Sequence, residues 1–502
     1  MTPVTTMRGR SVALFGLGGS GFATAEALKA GGAQVAVWDD NAGARERAAA
    51  AGHTVVDLAE ADWSGFSALI LSPGVPLTHP APHWTVTKAH AAGLEVIGDV
   101  ELFCRERARV APDAPFFAIT GTNGKSTTTA LLAHLLRALG RTVEMGGNIG
   151  VPILSLEPPS PDRCHVIELS TFQIDLTPSL RPSVGILLNL TPDHIDRHGT
   201  MERYAGIKER LVARADRAVI AVDDPWCAAI AERLATAGKP VTRVSTHASF
   251  RAERSGDPEP GSLGNAGPGS PVPGSPSAPR NEDSAAPLTD GLTLDGTRIM
   301  LHVGGRAPYP MADLAGIASL RGRHNGQNAA VAIAALSQAL DADGQLQPAL
   351  VGFPGLAHRM EQVGRRGRVL FVNDSKATNA DAAEQSLKAF QTIHWIVGGV
   401  SKEGGLAPLA PVFPHVAKAY LIGKSTDDFA ASLDGNVPYA RCGTLEAALQ
   451  LAASEAAESG ADEPVVLLAP ACASYDQFKN FEERGDRFRE LVAGLPVEEK
   501  PA

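Results

Sequence analysis

A glycine-rich loop between an apolar run and a helical run restricts the fold of this chain more than any other sequence feature. The apolar run spans residues 116–119, the helical run spans 128–139, and the loop reads Thr120-Gly121-Thr122-Asn123-Gly124-Lys125-Ser126-Thr127. A strand that leads through such a loop into a helix is typical of parallel α/β sheets. The backbone N–H groups and the helix N-terminus suit phosphates, and the Lys-Ser pair suits β/γ-phosphates and Mg²⁺. We therefore predict that this segment, the phosphate loop, binds a nucleoside triphosphate such as ATP.

The phosphate loop departs from the generic pattern at one position. Generic loops carry a glycine five residues before the second one, and Ile119 stands there, so the loop has a shorter GxxGKS form. The alternative is a glycine-rich turn with an accidental Lys-Ser pair. The strand and the helix on either side favour the phosphate site.

A second glycine-rich segment, the first turn, reads Gly16-Leu17-Gly18-Gly19-Ser20-Gly21 and follows the apolar run 12–15. Asp39 ends the next apolar run, as the acidic residue does in dinucleotide-binding fingerprints. Backbone amides at a helix start accept a diphosphate, which NAD or a nucleotide sugar would supply equally well. A packing turn without a ligand is the third interpretation.

Composition excludes several classes of protein. The 502 residues favour two to four domains, and a formal net charge of −10 argues against nucleic-acid binding. The five cysteines are scattered, with no CxxC pair that would indicate disulfides or zinc. We also find no long apolar segment of the kind that signals export or membrane insertion. We expect a cytoplasmic protein, without membrane insertion and acting as a monomer.

Apolar runs alternate with Ala-rich amphipathic segments, which predicts an α/β fold with largely parallel sheets. We predict domains at 1–110, 111–354 and 355–502, with a linker around 108–115 and a helix over 325–340. Residues 254–287 are rich in Gly, Pro and Ser and poor in apolar side chains, which predicts a disordered insertion within the second domain.

Polar residues follow several predicted strands, at the sheet edge where parallel α/β proteins bind ligands. In the second domain these are Glu168 and Ser170, then Asp193, His194, Asp196 and His198. Carboxylates there suit Mg²⁺, whereas a zinc cluster, or a solvated loop with a hydrogen-bonded histidine, would also explain residues 193–198. The third domain has polar clusters at 373–379, 398–402 and 470–478, which together predict a binding site. On its charged helix, Lys208 has the pattern of a solvated lysine.

Seven motifs in order resemble those of the Mur ligase family through all three domains. They are GTNGKST (121–127), GGNIG (146–150), ELSTFQ (168–173), LTPDHIDRH (190–198), HNGQN (324–328), NDSKATN (373–379) and PACASYDQFKNFEERG (470–485). The last two resemble the members that add D-glutamate. The resemblance implies Rossmann-like N-terminal and C-terminal domains around a central P-loop ATPase-like domain with a mostly parallel sheet.

The resemblance also implies an activity. ATP would phosphorylate the carboxylate of UDP-N-acetylmuramoyl-L-alanine, and the amine of D-glutamate would displace phosphate from the acyl phosphate, in peptidoglycan precursor synthesis. Lys125 would hold phosphates, and Mg²⁺ would be bound by Ser126, Glu168, His194 and a carbamylated Lys208. Beside the phosphate loop, Asn325, Asn328, Arg359 and Asp374 would reach ATP.

Substrate contacts follow by the same resemblance. The uridine substrate would contact Gly18, Gly19, Ser20, Asp39, Ser72, Asn148, Ser170 and Gln173, and D-glutamate would contact Thr378, Lys402, Ser474 and Phe481. Some family members carry Thr and Arg where this chain has Asp40 and Asn41, and the insertion has no counterpart. An NAD oxidoreductase, a non-catalytic nucleotide-binding module and a folate polyglutamate ligase are the competing hypotheses.

Overall fold

Three separate β-sheets organise the chain in the computed structural model, which describes residues 1–247, 291–304, 306–336, 345–401 and 404–496. We refer to the N-terminal, central and C-terminal units by these sheets. The predicted insertion at 254–287 lies outside the described residues.

The N-terminal unit is a parallel sheet in the order β3-β2-β1-β4-β5. Its buried strands are short apolar runs, and its helices lie between them in sequence, which is the doubly wound arrangement. The strand order reverses beside β1, so the first turn lies at the switch point. The elements are β1 (Ser11–Phe15), α1 (Gly19–Gly31), β2 (Gln34–Trp38), α2 (Ala42–Ala50), β3 (Thr54–Val55), β4 (Ala68–Leu71), α3 (Trp84–Ala91), β5 (Glu95–Ile97) and α4 (Asp99–Val110).

The central unit forms a sheet in the order β14-β13-β12-β11-β10-β9-β6-β8-β7 over the described residues. Strands β6 to β12 pair in parallel, and β12, β13 and β14 form an antiparallel edge. The elements are β6 (Phe116–Thr120), α5 (Lys125–Ala138), β7 (Thr142–Gly147), β8 (Arg163–Glu168), α6 (Thr171–Asp175), β9 (Val184–Leu187), α7 (Ile195–His198), α8 (Met201–Arg214), β10 (Arg217–Ala221), α9 (Pro225–Thr236), β11 (Val241–Ser245), β12 (Gly291–Asp295), β13 (Arg298–His302), β14 (Tyr309–Asp313), α10 (Arg323–Leu336) and α11 (Leu346–Val351).

The C-terminal unit has the order β15-β16-β20-β17-β18-β19, parallel except for the β15–β16 pair. Apolar side chains of both sheet faces are buried under helices. The elements are β15 (Glu361–Arg366), β16 (Val369–Asn373), α12 (Ala380–Leu387), β17 (Ile393–Gly398), β18 (Val416–Ile422), α13 (Thr426–Leu433), β19 (Tyr439–Gly443), α14 (Leu445–Glu458), β20 (Val465–Leu468) and α15 (Phe481–Ala493).

The predicted fold class is confirmed, and one boundary is wrong. The linker expected around 108–115 begins later, because α4 continues to Val110. Arg107, in the last turn of α4, donates to the carbonyl of Ala114 and so folds the connection back onto the helix. The described part of the helix expected over 325–340 is α10, and residues 337–340 lie outside the described part of the chain. Within the described ranges, no helix combines the length and the hydropathy of a membrane span.

Candidate active site

The phosphate loop leaves the end of β6 and enters α5 with two glycines in the left-handed region. Gly121 has φ +152° and Gly124 has φ +84°. A Cβ on Gly121 would lie 2.9 Å from the Cβ of Leu188, and one on Gly124 would lie 2.4 Å from Oδ1 of Asn328. Glycine is therefore required at both positions, and the loop backbone runs against the neighbouring strand and against α10.

Asn189 fixes the middle of the phosphate loop. Its carbonyl accepts from Thr122 N at 2.9 Å, and its Oδ1 accepts from Asn123 N at 2.8 Å. Sequence analysis did not single out this residue. Its place directly after β9, beside the motif at 190–198, was the available signal.

Two lysines meet at the carbonyl of Gly121. Lys125 Nζ donates to it at 3.1 Å and to the Thr122 carbonyl at 2.8 Å, while Lys208 Nζ donates to it at 2.7 Å. Lys208 also donates to Thr120 Oγ1 at 3.2 Å. Burial lowers the pKa of Lys125, and it lowers the pKa of Lys208 well below its usual range, with the charge of Lys125 as the second cause. Both amines are therefore poised to lose their protons more readily than a solvated lysine.

The prediction of a solvated Lys208 is wrong, because its side chain is only 2% exposed. The buried residues of α8 include Tyr204, Ile207, Lys208 and Leu211, at the spacing of one helix face. This face packs on β9 and β6, so the lysine points under the phosphate loop instead of into solvent. The ring of Tyr204 lies 4.9 Å from its Nζ.

Glu168 presents an unused carboxylate oxygen beside these lysines. It ends β8 and is 3% exposed. Its Oε1 accepts from Asn148 Nδ2 at 2.9 Å, whereas its buried Oε2 has no hydrogen-bond partner among the described residues. Ser126, at the start of α5, is also buried. An orphaned carboxylate oxygen and a hydroxyl at a helix N-terminus fit the oxygen ligands that Mg²⁺ prefers.

The two histidines after β9 have different environments. His194 has φ +52°, its side chain is 53% exposed, and its Nε2 lies 3.6 Å from Asp193 Oδ2. His198 is buried, hydrogen-bonds to Thr171 Oγ1 at 2.8 Å, and has its pKa lowered to about 4 by burial. His198 is thus the hydrogen-bonded histidine that the loop interpretation allowed for, although it is buried instead of solvated. In the part of the chain that the structure describes, no group of three or more His, Cys, Asp or Glu is arranged to hold a metal, which removes the basis for a zinc cluster at 193–198.

A cavity of about 270 Å³ lies between the phosphate loop and the C-terminal unit and is lined by residues of both. Its lining brings together residues that are far apart in sequence and that were predicted to reach ATP, namely Asn123, Gly124, Thr127, Asn325, Asn328, Arg359 and Asp374. Gly121, Thr122, Lys125 and Ser126 belong to the same loop. The cavity therefore joins the two units in one site at the carboxyl edges of their sheets.

Hydrogen bonds orient the polar lining of this cavity. Asn328 Oδ1 accepts from Thr128 Oγ1 at 3.2 Å, and its Nδ2 donates to Asn325 Oδ1 at 3.2 Å. Asp374 accepts from Met360 N at 3.2 Å and from the Ser386 hydroxyl. Burial raises the pKa of Asp374.

Lys376 is a cavity residue that sequence analysis missed. It lines the same cavity, and its Nζ lies 5.3 Å from the ring centroid of Phe481. Burial and then the charge of Arg359 lower its pKa, whereas the charge of Glu168 acts in the opposite direction. The signal was present, because Lys376 is the one cation within the strand-end motif 373–379.

Carboxylate contacts hold the first turn. Asp39 accepts from Leu17 N at 2.6 Å and from Asn41 N at 2.8 Å. A Cβ on Gly18 or Gly19 would meet no atom within 4 Å, so this side of the turn is open. Ser20 and Ser72 line a small hollow of about 10 Å³ beside the turn.

Arg45 lies close to Asp40 and Asn41, the two positions where the chain departs from the pattern of some family members. The guanidinium of Arg45 lies 4.4 Å from the ring centroid of Trp38. Its Nη1 donates to the carbonyls of Asp39 and Asp40 at 2.6 and 3.0 Å. Arg45 lies four residues, or about one helical turn, after Asn41. It therefore places a guanidinium near the position where some family members carry an arginine.

The remaining predicted substrate residues fall into two groups. Ser170 and Gln173 bond each other in a capping box at the start of α6, with distances of 3.1 and 3.3 Å. In the C-terminal unit the loops that carry Thr378 and Ser474 meet, since Ala471 N donates to the Ala377 carbonyl at 2.9 Å. The Phe481 carbonyl accepts from Ser375 Oγ at 2.8 Å, which brings Phe481 to the same place. Lys402 lies outside the described residues.

Comparison of the fold with solved structures gives relatives at low sequence identity. A pseudomurein peptide ligase type C from Methanothermus fervidus aligns with a TM-score of 0.53 and 17% identity, over 97% of this chain and 100% of that one. A MurF ligase from Thermotoga maritima, solved in complex with ADP, aligns with a TM-score of 0.52 and 14% identity, over 98% and 99%. These structures share the multi-domain fold.

Comparison of the sequence gives much closer relatives. The families described as Mur ligase middle domain and Mur ligase, glutamate ligase domain match residues 119–259 and 358–472. Proteins named UDP-N-acetylmuramoylalanine–D-glutamate ligase are 56% identical in Nitrobacter hamburgensis and 54% identical in Brucella abortus, over 99% of this chain and 99% and 98% of theirs. Because nearly the whole chain is covered at this identity, it belongs to the Mur ligase family, in the group of UDP-N-acetylmuramoylalanine–D-glutamate ligases.

Proposed function

We propose that this chain uses ATP and Mg²⁺ to join D-glutamate to UDP-N-acetylmuramoyl-L-alanine, a step in peptidoglycan precursor synthesis. The observation that carries the proposal is the cavity between the phosphate loop and the C-terminal unit, where Gly124 and Asn328 face Arg359 and Asp374. The names of the full-length relatives supply the substrates. A nucleotide site that opens onto polar loops of a second unit suits a reaction that must bring three substrates into line.

The reaction has two steps. A carboxylate oxygen of the muramoyl-alanine substrate attacks the γ-phosphorus of ATP, and ADP leaves. The amine nitrogen of D-glutamate then attacks the acyl carbon, loses a proton, and phosphate leaves as the amide forms. Phosphoryl transfer of this kind depends on positioning and charge neutralisation more than on covalent help from the protein.

Lys125 and the metal ligands supply the neutralisation. Lys125 lies at the start of α5, where its ammonium group donates to the Gly121 and Thr122 carbonyls, and it would hold the β/γ-phosphates when ATP is bound. Ser126 and Glu168 would hold Mg²⁺, for which the unpartnered Oε2 is the supporting observation. The ion would neutralise phosphate charge when bound. His194 would bind a second ion from the open loop after β9.

Lys208 is proposed to carry a carbamate. A neutral amine is the form that adds to CO₂, and the burial of Lys208 favours that form. The added carboxylate would turn a second cation beside Lys125 into an anion, and so would support a metal ion instead of repelling it.

Substrate contacts, domain limits and location complete the proposal. The uridine diphosphate would lie over Gly18, Gly19 and Ser20, with Asp39 and Ser72 beside it. Asn148, Ser170 and Gln173 would contact the muramoyl end, and Thr378, Lys402, Ser474 and Phe481 would contact D-glutamate.

The domains would divide at 110/111 and 354/355. We place the enzyme in the cytoplasm, because the five cysteines are free, as is usual in a reducing compartment. We expect it to act as a monomer, since one chain supplies every group named.

One assay tests the proposed function. Phosphate release is measured with ATP, Mg²⁺ and UDP-N-acetylmuramoyl-L-alanine against a panel of D- and L-amino acids. We expect release with D-glutamate and little with L-glutamate or neutral amino acids. Release with a folate substrate instead would support a folate polyglutamate ligase. Tight NAD binding without ATP turnover would support an oxidoreductase, and ATP binding without phosphate release would support a non-catalytic module.

A further inference from the structure

Arg484 in α15 is a buried arginine that connects two loops of the C-terminal unit. Its side chain is 1% exposed. Nε donates to Ser375 Oγ at 2.9 Å, and Nη2 donates to the Ser375 carbonyl at 2.8 Å. Nη1 and Nη2 both donate to the Cys472 carbonyl at 3.2 Å. One planar group thus bridges the loop after β16 and the loop after β20.

No carboxylate lies within 4.0 Å of Arg484 in the described part of the chain, and the charge of Asp476 acts on it only from a longer distance. Arg487 and Arg489 of the same helix behave differently, since they pair with Glu446 and Glu361 at 2.8 and 2.9 Å. Burial lowers the pKa of Arg484 to about 10, which leaves it protonated at neutral pH. A buried cation that has only neutral hydrogen-bond acceptors costs folding free energy. Its presence therefore calls for a compensating anion or a functional reason.

The two anchored loops are those proposed to receive D-glutamate. Ser375 lies three residues before Thr378, and Cys472 lies two residues before Ser474. Ser375 Oγ, which accepts from Arg484, also donates to the carbonyl of Phe481. Thr378, Ser474 and Phe481, the proposed contacts to D-glutamate, are therefore each connected to the guanidinium through one short stretch of backbone.

We propose that Arg484 is a positioning residue for the amino-acid substrate. It holds the loops at Ser375 and Cys472 in one arrangement, and its charge, which is not paired within 4.0 Å, lies against the loops that are proposed to receive an amino acid with two carboxylates. This inference rests on the proposed function. Arginine suits the role because its fixed fork reaches several acceptors at once, which the single ammonium group of lysine cannot do.

Two substitutions distinguish the hydrogen bonds that Arg484 makes to both loops from the effect of its charge. Arg484→Met removes both, whereas Arg484→Lys keeps the charge and loses the fork. We expect Arg484→Met to raise KM for D-glutamate by about tenfold or more, with KM for ATP within about twofold of wild type. Arg484→Lys should give an intermediate KM. Unchanged KM for D-glutamate in both variants, at a temperature where they are folded, would overturn the proposal.

Arg217→Met is the matched control. Arg217 is a half-buried arginine at the start of β10 whose Nη1 and Nη2 donate to the carbonyls of Ala334 and Ala335 at 2.9 and 2.7 Å. Its loss should lower the melting temperature and leave KM for D-glutamate unchanged. An equal rise in KM in this control would show that the Arg484 effect is a general loss of stability, and would also overturn the proposal.

A milder variant keeps the test decisive if Arg484→Met does not fold. Ser375→Ala removes the hydroxyl between Arg484 and Phe481, and we expect it to raise KM for D-glutamate about threefold without a change in KM for ATP. An unchanged KM for D-glutamate would contradict the proposed link. If wild-type protein released no phosphate with D-glutamate, the proposed function itself would fail, and that result is obtained before any variant is made.

Discussion

The first turn and the phosphate loop share a local plan and differ in what holds them. Each joins a buried parallel strand to the start of a helix at the carboxyl edge of its sheet. A carboxylate holds the first turn, since Asp39 accepts from Leu17 N. Ammonium groups hold the phosphate loop, since Lys125 and Lys208 both donate to the Gly121 carbonyl.

The difference shows how one backbone motif serves binding in one place and chemistry in another. Around the first turn Gly18 and Gly19 face open space, and a diphosphate can be bound by backbone amides alone. Around the phosphate loop, buried cations and the carboxylate of Glu168 surround the backbone, so charge that moves during phosphoryl transfer meets fixed groups. Four predictions test this distinction, from the largest expected effect to the smallest.

Lys208→Ala should abolish the chemistry and spare the binding. We expect kcat to fall roughly 10²–10³-fold, because the group beneath the phosphate loop that is proposed to support the metal is lost. UDP affinity, measured by calorimetry, should not change, since the first turn belongs to the N-terminal unit and Lys208 packs on the central sheet. A short carboxylate such as acetate should restore part of the activity if a carbamate is the functional group. Near wild-type kcat in the variant would exclude this role.

Adding one methyl group should affect the two segments differently. Gly124→Ala places a Cβ 2.4 Å from Asn328 Oδ1 at φ +84°, so ATP affinity should fall roughly 100-fold with a loss of stability. Gly18→Ala has φ −69° and open space around the new Cβ, so the free energy of unfolding should change by less than about 0.5 kcal/mol. Nucleotide titrations and thermal melts measure both. Equal losses of stability in the two variants would contradict the comparison.

Asp39→Asn tests the carboxylate that holds the first turn. The amide keeps an acceptor but loses the charge that strengthens its bonds to Leu17 N and Asn41 N. We expect KM for the uridine substrate to rise about threefold to tenfold while KM for ATP stays unchanged. Asp57→Asn serves as a control, since Asp57 makes a similar bond to Ala59 N on an exposed loop of the same unit.

Acid should act on the two units in opposite directions. Burial raises the pKa of Asp99, beside the first turn, from 3.8 to about 6, and burial lowers the pKa of His198, in the central unit, from 6.5 to about 4. Below pH 6 the folded N-terminal unit binds more protons than its unfolded form, so acidification stabilises it. Between pH 6.5 and about 4 the unfolded central unit binds more protons at His198, so acidification destabilises it.

Hydrogen exchange resolved by peptide and corrected for intrinsic rates measures this contrast between pH 7 and pH 5. Asp99→Asn should remove the pH response of the N-terminal unit alone, and His198→Gln should reduce that of the central unit alone. Responses of the same sign in both units would show that other groups control the acid stability.

Most of the fold was predictable from local sequence, because buried parallel strands are continuous apolar runs. Phe116–Thr120, Val465–Leu468 and Ala68–Leu71 are examples, and the loops after the first two were recognised from their glycines and polar residues. The burial of Lys208 was not predictable, since a charged stretch such as Lys208-Glu209-Arg210 has the composition of a solvated helix face. Only the packing of α8 on β6 and β9 shows that the lysine is buried.

The sequence by itself determined the three-sheet α/β architecture, the two glycine-rich segments and the motifs that identify the family. These features depend on the order of residues within short segments, where backbone sterics and periodicity act. The tertiary structure alone decided that Lys376 lines the cavity beside Arg359 and Asp374, and that Arg484 is buried with no carboxylate within 4.0 Å among the described residues. Such facts depend on contacts between separate segments, such as the bonds from Arg484 to Ser375 across 109 residues, and burial changes the protonation and the energetic cost of a charge in ways that no local pattern records.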